Sequence, residues 1–148
     1  MRGNILSKNI MKEISKSEAS IYTNEHCSFT PYSWLNDNGR LLPIVFKVVT
    51  QDLKSLGLKS NPNILKYNLY DWTVLSDSEV VPGKGDYGGI WSTREKGEAS
   101  GVKRYMKNKY NKETRMFLVA LNNPVYANNR RIKSQGVLFL EEIITRNK

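Results

Sequence analysis

The stretch Pro82-Gly83-Lys84-Gly85-Asp86-Tyr87-Gly88-Gly89 carries the most distinctive chemistry in this chain, with four glycines in seven residues. Such a backbone can take positive φ and approach a ligand closely. Its amide N–H groups, with Lys84 beside them, could cradle a phosphate. Trp72 and Trp91 flank the stretch and Asp86 lies within it, so Lys84, Gly85, Asp86, Trp91 and Trp72 form a candidate ligand-binding set. Gly83, Gly85 and Gly88 match G-x-G-x-x-G, but a dinucleotide site needs a helix directly after the loop. Here the strand-like Gly89-Ile90-Trp91 intervenes, and no Walker sequence is present.

A second set is cationic. Lys103, Arg104 and Lys107 fall on one helical stretch, and Arg130, Arg131 and Lys133 sit in one turn. Tyr105, Tyr110 and Tyr126 lie among them. Cations neutralise phosphates and aromatic rings stack on unpaired bases, so this pattern suits nucleic acid or another polyanion. It matches no named nucleic-acid motif.

Other reactive side chains are sparse. His26 and Cys27 are adjacent, and neighbours in an extended segment point to opposite sides, so they do not serve each other. Asp71 and Asp86 are the acids best placed near the glycine loop, without forming a recognisable acid/base pair. One Cys and one His exclude a disulfide framework and an all-Cys/His zinc site. Neither a metal nor a cofactor is expected.

The chain that must position these groups has 148 residues, the size of one domain. Hydrophobic residues make up 39% and charged residues 25%, within the range of globular proteins. No apolar run reaches the roughly 18 residues of a membrane span, and the N-terminus turns polar too soon for a secretory signal. A cytoplasmic protein without a transmembrane segment is the expectation. The net charge is +9, and its distribution is uneven: residues 1–93 carry a net +1 and residues 94–148 a net +8. A concentrated positive field attracts nucleic acid, an anionic surface or an acidic protein. The 15 Lys, 15 Asn and 10 Ile reflect A/T-rich codons, in keeping with a low-GC bacterium, a phage or a large virus.

Hydrophobic periodicity predicts the elements. Leu6, Ile10 and Ile14 recur at helical spacing over residues 4–18, with Lys8, Lys12 and Lys16 on another face. Residues 24–43 read as an ordered loop pinned by Phe29, Tyr32 and Trp34. Ile44–Thr50 reads as a strong strand, Asp52–Gly57 as a helical turn stopped by glycine, and residues 67–75 as a second strand. Ser92 and Glu95 suggest a capping box opening a helix to about Tyr110. Arg115–Leu121, an edge continuation at Val125–Ala127 and Val137–Ile144 complete the strands. The expected fold is α+β: a mainly antiparallel sheet, an N-terminal amphipathic helix and a second helix near residues 93–110.

The function these features suggest is a small basic module that engages a polyanion, most plausibly nucleic acid, in a phage or bacterial host-interaction setting. An enzyme or sequestering protein acting on a nucleotide at the glycine loop is the alternative. A protein inhibitor working through its basic face is the third.

Overall fold

Ile44-Val45-Phe46-Lys47-Val48-Val49 is dominated by residues that fit a pleated surface buried on both sides. They form the centre of β2 (Arg40–Thr50) in the computed structural model, which describes residues 29–57, 64–85 and 87–144. The helix expected over residues 4–18, together with His26 and Cys27, lies outside the described residues.

β1 (Ser33–Asp37) precedes β2 and pairs with it antiparallel from Ser33↔Ile44 to Asp37↔Arg40. Asn38 and Gly39 make the two-residue turn with φ of +54° and +89°. Two consecutive positive φ values are the mark of a type I′ hairpin, the geometry that Asn-Gly favours. Gly39 N–H also donates to Asn36 Oδ1 at 2.8 Å. The second half of the expected 24–43 loop is therefore a hairpin, with Trp34 buried within it.

Three further strands follow: β3 (Trp72–Val74), β4 (Ile90–Thr93) and β5 (Thr114–Ala127). β6 (Arg131–Ile143) is the last. Tyr70, at φ +63°, interrupts the expected 67–75 strand and leaves only its three-residue end. Asp52–Gly57 contains no helix; Leu53 and Gly57 both take positive φ in a turn. In contrast, β5 continues through Asn122-Asn123-Pro124 and joins the segments expected at Arg115–Leu121 and Val125–Ala127, with a bulge against β6 between Pro124 and Tyr126.

All named strand pairs are antiparallel. β2 pairs β5, β5 pairs β6, β6 pairs β4, and β4 returns to β2 through the single register pair Phe46↔Thr93. The four strands thus form a ring. β1 extends it beside β2, and β3 sits on β6 opposite Gly136–Leu138. Alternate residues of a strand face opposite sides. Val45, Val49, Phe117, Val119 and Phe139 accordingly build one apolar cluster with Tyr67. Ile44, Phe46, Met116, Leu118 and Leu140 build another, covered in part by a helix through Ala99 and Val102.

That helix, α1 (Lys96–Tyr110), is the only α-helix among the described residues. The expectation of an α+β fold with two helices is corrected: the described chain is a mostly antiparallel sheet with one helix. The start of the helix is corrected as well. Its N-cap is Glu95, whereas Ser92 sits inside β4, paired with Ile132. Strand pairing with β6 claims Ser92 before a helix can. No helix among the described residues is long and apolar enough to cross a membrane.

Candidate functional site

β2 has 11 residues and β4 has four, and their backbones pair at Phe46↔Thr93 alone. Thr93 Oγ1 donates to the Phe46 carbonyl at 3.1 Å and fastens this junction. Past it the two backbones separate. A cavity of about 640 Å³ occupies the gap, well within the range of small-molecule sites.

Each side of the cavity comes from a different part of the chain. β2 supplies Lys47 and Val48, and β4 supplies Ile90 to Thr93. The turn after β2 contributes Ser55 and Leu56, with Ile64, Leu65 and Tyr67 beyond it. Tyr87, Gly88 and Gly89 enter from the glycine loop, Val102 from α1 and Arg131 from β6. Most of this lining is apolar, with a few polar groups set into it.

Lys47 is the central one. It is 6% exposed, and its Nζ crosses the gap to donate to the Trp91 carbonyl. The amine also lies 5.4 Å from the centre of the Tyr67 ring. Among the described residues no carboxylate pairs with it. Burial without a counter-charge disfavours the ammonium form and pushes the amine from its ordinary 10.5 down to about 7.

Tyr67 is wholly buried, stacked on Phe139 at 4.8 Å, with its hydroxyl 3.0 Å from Ser55 Oγ. Burial pushes this phenol up to about 12, so it keeps its proton at any physiological pH. Ser55 Oγ accepts from Leu65 N–H at 3.1 Å, which ties the two halves of this wall together. Ser92 is buried, and its Oγ makes no hydrogen bond. A buried hydroxyl without a partner forfeits roughly 1–3 kcal/mol, the desolvation cost that a bound polar group would offset.

The indole of Trp91 forms part of the rim. Arg131 lies over its ring at 4.2 Å, and Tyr126 meets its edge at 6.0 Å. A guanidinium over an aromatic face is attracted by the ring's negative π-face.

The structure brings together only some of the sequence-derived ligand set. Trp91 lines the cavity, and the loop reaches it through Tyr87, Gly88 and Gly89. Lys84 and Gly85 are exposed and lie outside it, and Asp86 is outside the described residues. Trp72, 36% exposed, pairs with Leu138, whereas Trp91 pairs with Lys133, so the two indoles occupy separate stretches of β6.

The loop's polarity is also the reverse of a phosphate cradle. Lys133 is fully buried, and its Nζ donates to the Gly85 carbonyl at 3.0 Å and the Tyr87 carbonyl at 3.1 Å. The loop thus turns acceptors, not amides, toward a cation of its own chain.

The basic helix is similarly engaged. Lys103 Nζ donates to the Thr114 carbonyl, and Lys107 pairs with Glu113 at 2.6 Å. Arg115 grips Glu142 through Nε at 3.0 Å and Nη2 at 2.8 Å, holding the ends of β5 and β6 together. Arg104 and Arg130 are exposed. Exposed Tyr105 and Tyr110 meet edge to face at 6.0 Å, and Lys109 Nζ lies within 5.4 and 5.6 Å of their rings.

Sequence reasoning passed over Lys47, Ser55, Tyr67 and Ser92 as site residues. One signal was available: a lysine in the middle of an otherwise apolar strand run. Among the described residues no group of three or more His, Cys, Asp or Glu side chains could hold a metal ion. No family model matches the chain, and neither a curated protein nor a solved structure matches it.

Proposed function

We propose that this protein binds a small organic molecule in the cavity between β2 and β4, with Lys47 as the group that recognises its polar head. The ligand is compact, with an apolar body and one oxygen-bearing head, either an oxyanion or a carbonyl. The observation that carries this reading is the buried Lys47 amine facing a 640 Å³ cavity with no carboxylate partner among the described residues. Burying an amine is costly unless something uses it. The orphan Ser92 hydroxyl in the same lining supports the reading.

The test is binding of 1-anilinonaphthalene-8-sulfonate, an apolar body with a single anionic head. Saturable binding to the folded protein is expected. Val102→Trp, which fills the cavity from the helix side, should abolish it while the near-UV circular dichroism of the fold persists. Equal binding to wild type and Val102→Trp would place the probe elsewhere and remove the cavity reading.

A second reading has its own observation. Exposed Tyr105 and Tyr110, with Lys109 against both rings, present stacking faces next to positive charge on α1. That arrangement supports single-stranded nucleic acid as a partner on this outer face. The net +8 of residues 94–148 adds electrostatic attraction.

A further inference from the structure

Lys47 lines the cavity and is buried rather than on the surface. Its Nζ reaches the Trp91 carbonyl from β2 and is shielded by the Tyr67 ring. Ser92, next in sequence to that carbonyl, lines the same space with an unbonded hydroxyl. A nucleophilic nitrogen, a neighbouring hydroxyl and an apolar pocket that accepts an organic body are the parts needed for carbonyl chemistry.

We infer that Lys47 captures a small aldehyde or ketone in this cavity as an imine. The inference rests on the ligand-cavity reading above and specifies its substrate class.

The step balances without any further reagent. The Nζ lone pair attacks the carbonyl carbon and the C–N bond forms, while the carbonyl oxygen takes up a proton. The carbinolamine then loses that oxygen as water, carrying away both protons the nitrogen held, and a C=N bond remains. Tyr67 keeps its proton and packs beneath the amine, so it holds the nitrogen in place without competing for the carbonyl. Because burial lowers the basicity of Lys47, a large share of it is neutral near neutral pH.

The experiment traps the imine. Wild-type protein is incubated with benzaldehyde, at a concentration matched to the protein, and sodium cyanoborohydride near pH 7. The reduced adduct is then located by peptide mass mapping. Modification at Lys47 is expected to exceed that at each exposed lysine, such as Lys84, Lys96 and Lys112, by more than about tenfold. Lys47→Arg, which removes the primary amine, should lose that adduct while the exposed lysines label as before. Labelling spread evenly over the exposed lysines, with Lys47 unmodified in folded wild-type protein, overturns the imine. If anilinonaphthalene sulfonate still binds in that case, only the covalent step fails. If neither reagent engages the cavity, the ligand reading fails with it. Because mapping is done on wild type, a Lys47→Arg variant that does not fold leaves the test intact.

Discussion

The side chain of Lys133 runs across the α-carbon of Gly89 so closely that a β-carbon there would stand 2.2 Å from Lys133 Cγ and 2.7 Å from Cδ. Gly89 opens the passage, and the lysine uses it to reach the carbonyls of Gly85 and Tyr87. What reads in sequence as a loop prepared for a ligand is, at this point, a sleeve for a buried cation of β6.

Gly89→Ala should therefore destabilise the protein by at least about 1–3 kcal/mol, the usual range for forcing extra volume into a packed site. Gly88→Ala should also be costly, since Gly88 sits at φ +84° with Val81 Cβ only 2.5 Å from the added carbon. Lys133→Met should loosen the loop and raise amide exchange at Tyr87 and Gly88. Urea titration and hydrogen exchange measure both. A Gly89→Ala variant as stable as wild type would mean that Lys133 does not hold this position.

Stability should depend on pH through Lys47. The unfolded amine keeps its proton up to about 10.5, whereas the folded one loses it above about 7. Between these values the unfolded state binds more protons, so stability rises with pH, by up to about 1.4 kcal/mol per unit from this group. Below about pH 7 both states are protonated and this contribution is flat. Tyr67 acts in the opposite sense above pH 10, where the unfolded phenol ionises first. Denaturant titrations from pH 6 to 10 should show the rise in wild type and a clear flattening in Lys47→Met. Parallel profiles would place the Lys47 amine in water.

Ser92→Ala should leave stability unchanged within about 0.5 kcal/mol or raise it, because the lost hydroxyl is buried and unpaired. A helix cap at this position would instead cost about 1 kcal/mol on truncation. Thermal unfolding decides between the two, and a clear loss would mean that the Ser92 hydroxyl has a hydrogen-bond partner.

The outer face of α1 makes a separate prediction. If single-stranded nucleic acid binds there, replacing Tyr105 and Tyr110 with Ala should weaken an oligonucleotide by about 1–3 kcal/mol per stacked base. Lys109→Ala should also reduce the slope of log affinity against log salt by roughly 0.7. Fluorescence anisotropy across a salt series reads both. Binding that ignores these substitutions, or is absent at low salt, would exclude this face.

Much of the sheet was legible locally. The run Ile44–Thr50, the apolar Arg115–Leu121 and Val137–Ile144 all appear as strands, because β-branched and aromatic density is a property of a few adjacent residues. Asn38-Gly39 also carried its hairpin geometry in two residues, although the surrounding polar cluster read as loop. The α1 helix was visible from its spacing, but its start was not. Ser92 and Glu95 have the right types for a capping box, and only the pairing of Ser92 with Ile132, forty residues later, commits Ser92 to a strand.

The candidate site was the least legible part, because its members meet only after the ring closes. Residue types and their order establish that the chain has an unusual glycine loop, a cationic C-terminal third and one lysine inside an apolar strand. They do not say that β4 is short and pairs with β2 at one point, which is what opens the cavity beside Lys47. Nor do they say that the loop's cation comes from Lys133, which follows Gly85 by 48 positions. Local propensity depends on neighbours along the chain, whereas burial, and with it the protonation of Lys47 and the isolation of Ser92, depends on what distant strands bring alongside. Residue types alone place the long strands and the charges, whereas the packing of distant strands sets which of those charges reach water and which are buried.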